Sequence, residues 1–199
     1  MSDKRESRKA ELRGRLLDAA EAQIAREGLA SLKAREVTRE AGCALGALYN
    51  VFEDLDRLVL DVNLRTLSRL KVMLAEACEA ADPTPRAQLE ALATVYAEFA
   101  LGEPQLWQAL FNHRVPMEVI TDVYRTEHAP LIELIVPPLG ILRPDLTGAN
   151  LVQRARTLFS AVHGVVHLSL LGRVVGVPQE MLVEEVRALV QTLTKEPVA

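Results

Sequence analysis

Three groups of side chains in this sequence have the types and spacing to do chemistry. His163 and His167 lie four residues apart, which puts two imidazoles on one helix face, as pairs of metal ligands are placed. No cysteine or carboxylate stands at a matching spacing and no HExxH occurs, so no metal is expected; histidines packing at a helix interface are the alternative. Tyr96, Phe99, Trp107, Phe111, Tyr124 and Phe159, with His113, His128 and His163 as polar handles, offer an apolar pocket for a small molecule, or a plain aromatic core. The third group is the stretch AGCALGALYNVF, Ala41 to Phe52. There a glycine turn precedes a short uncharged helix with small residues on one side and Tyr49 and Phe52 at its end, a surface another molecule can approach closely.

Catalysis finds little material. The chain has no phosphate-binding glycine loop, no GxSxG elbow and no paired carboxylates on a recognisable scaffold. Glu118, Glu127 and Glu133 read as solvated helix faces, so neither an enzyme nor a cofactor is expected.

The elements that must position these groups are all helices. Runs of alternating, β-branched residues are missing, whereas helical spacing recurs throughout. Leu12, Leu16, Ala20 and Ile24 repeat every four residues until Gly28 stops the first helix. A second helix is expected over 32–41, closed by Gly42, and a third over about 44–51. Asp54 is placed to N-cap a long fourth helix with Leu58, Val62, Leu67, Leu70 and Leu74 on its apolar side. After the break at Asp82 to Pro85, helices are expected over 85–101, 104–112 and 117–135, the last broken or kinked at Pro130. Residues 136–148 read as a surface loop or lid, and the closing helices as 149–173 and 178–194. The first of that closing pair is apolar around most of its circumference. Such a helix is buried on nearly all sides, either within one copy or in a four-helix bundle completed by a second copy.

Charge follows the same division. The net charge of −4 argues against a generic nucleic-acid binder, yet residues 1–71 carry 14 Lys/Arg against 12 Asp/Glu, and the remainder 9 against 15. The first residues are the most basic: Lys4, Arg5, Arg8, Lys9, Arg13 and Arg15 make either a phosphate-seeking arm or a solvated helix end. Cys43 and Cys78 form neither a metal pair nor a disulfide framework, and two reduced thiols are expected. No stretch approaches the roughly 20 apolar residues needed to span a bilayer. No secretory leader is seen, and a cytoplasmic protein without membrane contact is expected.

Three short helices with a glycine turn between the second and third make a helix-turn-helix unit. RLLDAAEAQIAREG, REVTREAG, LGALYNVF and DLDRL, between Arg15 and Leu58, resemble the DNA-binding domain of TetR-family transcriptional regulators over about 44 residues. LFSAVHGVVHLSLLGRV, Leu158 to Val174, looks like the His-Gly-containing dimer helix of one subgroup. The resemblance implies an all-α chain: residues 1–55 a three-helix DNA-binding domain with a basic arm, residues 56–199 a helical effector-binding and dimerisation domain. Val37, Ala41, Leu48, Phe52 and Leu58 have the spacing to lock the three helices together, leaving 44–50 to face the major groove.

Tyr49 matches a family tyrosine that contacts phosphate, Asn50 is placed for a base edge or phosphate, and Lys33, Arg35 and Arg39 for the flanking backbone. The sequence departs from the family where Ser, Lys and Thr are common, having Ala44, Leu45 and Ala47, and where a lysine is usual, having Leu55. Each departure removes a phosphate contact. An Ala/Leu surface can instead meet thymine methyls, which favours an A·T-rich half-site. The resemblance further implies a homodimer paired through the last two helices, and a repressor released from operator DNA by a small-molecule effector. The effector pocket is expected to draw on Tyr96, Phe99, Trp107, Phe111, Tyr124, His128, Phe159 and His163. The alternative is a ligand-binding or interaction module of the same fold whose DNA binding is weakened or lost.

Overall fold

The computed structural model describes residues 2–113, 130–172 and 174–195. Among them there is no strand, only helices joined by short turns. They form two compact units, one holding residues 2–67 and 103–113, the other 68–102 and the described residues from 130 on. The first unit takes in a later segment of the chain, and the second begins at residue 68.

In the first unit α1 (Ser2–Glu27), α2 (Ala34–Glu40) and α3 (Leu45–Val51) surround one apolar cluster. α1 begins well before the apolar repeat that marks it, because residues 4–13 are rich in Lys, Arg and Glu and contain no glycine or proline to stop a helix. The basic arm is therefore a helical extension. Gly28 ends α1 at φ 80°, its N–H reaching Ile24 O at 2.8 Å, and a tight turn over Leu29–Ser31 delays α2 to Ala34. The Gln23 amide, almost fully buried, donates to Ser31 O and Glu36 Oε2 and ties α1 to that turn and to α2.

α4 (Leu55–Ala80) opens on the expected cap, with the Arg57 N–H donating to Asp54 Oδ1 at 2.7 Å. Its first turns send Leu58 and Val62 into the cluster already holding Leu16, Ala20, Ile24, Val37, Leu48 and Phe52. Ion pairs fasten it to α1: Arg13 to Asp61, and Arg65 to Asp18 at 2.6 Å and Glu21 at 3.0 Å. α6 (Pro104–Asn112) completes the unit, with Leu106 and Ala109 in the same cluster.

In the second unit α5 (Pro85–Gly102) packs along α10 (Leu182–Leu193) and against α8 (Val136–Leu142), while α9 (Gly148–Leu170) packs on α10. α8 lies where a loop or lid was expected. Its two prolines fall in the first turn, where a missing N–H leaves no helical hydrogen bond unmade, and Pro138 and Leu139 are buried. Pro130 is the first residue of α7 (Pro130–Glu133) rather than a kink; the rest of the helix expected over 117–135, with Tyr124 and His128, lies outside the described residues up to 129. No helix among the described residues is long and apolar enough to cross a membrane.

Candidate functional site

The sequence of α3 fixes which of its sides can meet another molecule. Leu48 and the following Phe52 are essentially fully buried, and one turn away Ala44, Leu45, Gly46, Tyr49 and Asn50 face solvent. The turn before α3 is held by Gly42 at φ 67°, a left-handed conformation open to glycine. The Cys43 N–H donates to Thr38 O at 2.9 Å and the Arg15 guanidinium to Ala41 O at 3.0 Å, so α1, α2 and the turn into α3 are one braced piece. Behind α3, the Arg13 guanidinium lies 4.7 Å from the centre of the Phe52 ring.

The structure brings the expected contact residues together in part. Ala44, Leu45, Tyr49 and Asn50 are exposed on or beside α3, while Ala47 is half-buried. Lys33 and Arg35 are exposed at the start of α2 and Arg39 at its end, Lys33 lying 3.5 Å from Glu36. Tyr49, about half exposed, carries the one hydroxyl of α3, and no side chain of α3 bears a positive charge. Of the acidic residues that follow, Glu53, Asp54 and Asp56, Asp54 caps α4 and Asp56 lies 3.0 Å from His113 Nε2. Sequence reasoning had placed His113 among pocket residues; instead it closes the first unit.

The second unit contains a small apolar cleft, with a volume of about 40 Å³. Its wall is aliphatic and aromatic: Leu74 of α4, Leu89, Leu92, Ala93 and Tyr96 of α5, Leu131 to Ile135 in part, Leu158, Phe159 and Val162 of α9, and Val190 of α10. Tyr96 and Phe159 were expected there, and their rings meet edge to face at 5.5 Å. Next to the wall, the Tyr96 hydroxyl and His163 Nδ1 share a hydrogen bond of 2.7 Å, and the His163 ring stacks 5.9 Å from that of His167. Burial, followed by the neighbouring His167, pushes the His163 imidazole below its ordinary range and favours its neutral form.

The other expected lining residues lie elsewhere. Phe99 is buried on α5 away from the cleft wall, and Trp107 and Phe111 pack together at 5.1 Å in the first unit, Trp107 with no exposed surface. Aromatic spacing along helices did not reveal which unit each helix joins. The aliphatic wall, by contrast, was missed, since leucines at helical spacing look the same whether they close a core or line a cleft. Among the described residues no group of three His, Cys, Asp or Glu side chains is arranged to hold a metal.

On the outer side of α9 and α10, Val165, Ala188 and Leu189 line a shallow groove with Glu185 and Thr192. Leu168 and Leu171, at the C-terminal end of α9, are more than two-fifths exposed, although Ala155, Leu158, Val162 and Val166 of the same helix are buried.

Comparison with known proteins agrees with this geometry. Residues 89–193 match the family described as tetracyclin repressor-like, C-terminal domain, and residues 16–62 match bacterial regulatory proteins of the tetR family. No curated protein sequence gives a significant match. A protein of unknown function from Rhodococcus sp. RHA1 is similar at 25% identity and TM-score 0.74, covering 92% of this chain and 93% of that one. A TetR transcriptional regulator from the same organism is similar at 20% identity and TM-score 0.68, covering 94% and 97%. RolR, solved in complex with resorcinol, shares the fold at 15% identity and TM-score 0.65, covering 97% of each chain. With both of its parts matched, and the C-terminal match alone spanning more than half its length, the chain belongs to the TetR family of bacterial transcriptional regulators.

Proposed function

We propose that this regulator is a homodimeric repressor whose two α3 helices occupy successive major grooves of an operator, and that a small molecule bound in the second unit releases it. The observation that carries the reading is the division of α3 into a fully buried side, Leu48 with Phe52, and an open side bearing Tyr49 and Asn50. A helix so mounted presents a fixed contact surface. Dimer formation is supported by the half-open apolar side of α9 and α10 around Val165, Leu168 and Leu189, which a second copy would cover isologously. Ligand response is supported by the apolar cleft and by a structural neighbour that holds resorcinol.

The mechanism is a shift of populations. Ligand favours the dimer conformers in which the two heads are wrongly spaced, and operator affinity falls by the ligand's preference for those conformers. Lys33, Arg35, Arg39 and the helical extension with Lys4, Arg5, Arg8 and Lys9 supply the positive charge that α3 lacks. The competing reading is a ligand-binding protein that no longer binds DNA, and it is favoured by Ala44, Leu45, Ala47 and Leu55 at positions where phosphate donors are usual.

Selection of bound sequences from random duplex DNA by the purified full chain, at low salt, decides between them. Enrichment of an inverted repeat, lost with Tyr49→Ala, is the expected result. Failure to enrich any sequence would leave the second reading standing.

A further inference from the structure

The cleft of the second unit is smaller than the molecules such sites hold, and its size sets how one enters; the inference rests on the ligand-binding reading above. Its volume is about 40 Å³. An apolar cavity of about 150 Å³ takes benzene, and sites for drug-sized molecules measure about 300–1,000 Å³. An effector must therefore part the helices that enclose the cleft. Leu74 of α4 and residues of α5, α9 and α10 all stand on the wall. α5 packs far more extensively along α10 than against α9, so parting α5 from α9 gives up the least contact. Along that seam the Tyr96 and Phe159 rings meet edge to face at 5.5 Å, and the Tyr96 hydroxyl shares its 2.7 Å hydrogen bond with His163 Nδ1. Tyr96 is buried, and a hydrogen bond shielded from water holds its two helices more firmly than one at the surface.

We infer that the Tyr96–His163 hydrogen bond latches a contracted cleft, and that an effector binds once α5 and α9 part and the bond breaks. The closed form then lowers apparent affinity in proportion to the fraction of molecules that are open. Weakening the latch raises that fraction, so affinity rises although the ligand gains no new contact.

Two probes that form no hydrogen bond, xenon and ethylbenzene, test it on the full chain, each followed by NMR through the methyl groups of Leu92, Leu158 and Val162. Xenon, a single apolar atom, asks for far less room than ethylbenzene. Tyr96→Phe keeps the ring beside Phe159 and deletes the bond from one side, and His163→Phe deletes it from the other. Each should bind ethylbenzene about five-fold more tightly than the unaltered chain, the worth of one net hydrogen bond, and should change xenon affinity by less than about two-fold. The double variant should gain no more than either single one, because both remove the same bond. Ethylbenzene bound no better by the single variants than by the unaltered chain, or shut out of all of them while xenon enters, would overturn the latch. Gains that multiply in the double variant, or a gain for xenon equal to that for ethylbenzene, would overturn it too. Uptake of neither probe by any variant would overturn the ligand-binding reading itself, a result distinct from an absent latch.

Discussion

Replacing Tyr49 by phenylalanine removes one hydroxyl from the open side of α3 and nothing from the core behind it. The side chain is 49% exposed, so the folded chain should be unaffected, within about 0.5 kcal/mol in thermal denaturation. In the docking proposed above the hydroxyl would donate to a phosphate, and a hydrogen bond to a charged partner at a wet surface is worth about 1–1.5 kcal/mol. Two heads per operator make about 2–3 kcal/mol, a fall in affinity of roughly 30- to 150-fold. Because no cation is lost, the slope of log affinity against log salt should not move. Arg35→Gln gives the contrast: it removes one cation per head and should flatten that slope by about 2 for the dimer. Fluorescence anisotropy with a labelled operator over a salt series reads both quantities. Wild-type affinity in Tyr49→Phe would refute the placement of α3 at the DNA, and so would a loss accompanied by a flatter slope.

Other outcomes follow from the same geometry. Leu48→Ala empties a fully buried site between the three head helices and should cost about 2–5 kcal/mol of stability by denaturant unfolding. Gly42→Ala meets no obstruction nearer than Arg15 Nη1 at 3.7 Å, so its cost is the left-handed backbone alone, about 1–2 kcal/mol; a neutral substitution would mean the turn can relax. Leu168→Arg places a charge on the half-open side of α9 and should yield a monomer in sedimentation without lowering the melting temperature. His163, held below the ordinary imidazole value of about 6.5, is more readily protonated in the unfolded chain. Its contribution to stability is therefore present above that pH and is lost as pH falls from there through the lower folded-state value, and His163→Gln should shrink the acid-side drop in melting temperature.

The head was legible because its contacts are short in sequence. Leu16, Ala20 and Ile24 announce one helix face, Gly42 the turn, and Leu48 with Phe52 the side of α3 that must be hidden, all within about forty residues. The return of α6 to that unit was not legible: the spacing of Leu106 and Leu110 shows an apolar face but not which body it joins. For the same reason Trp107 and Phe111 looked like companions of Tyr96 until the fold separated them. α8 was hidden for a local reason. Pro137 and Pro138 signal a break when read as interior residues, and a helix start when read as its first turn. Tyr96 and Phe159 were anticipated, but the hydrogen bond between Tyr96 and His163 joins residues 67 apart, and no pattern along the chain predicts it.

The aliphatic character of the open side of α3 bears on how an operator would be tuned. Ala44 and Leu45 offer methyl and isobutyl groups and no hydrogen-bonding side chain, so in the proposed docking bases against them would be sorted by shape and greasiness. A cytosine methylated on its major-groove edge projects the same knob there as thymine does. In that docking, an operator carrying such a cytosine beneath Leu45 would gain affinity without any change of its letters, so a covalent mark on the DNA would act as an input of its own.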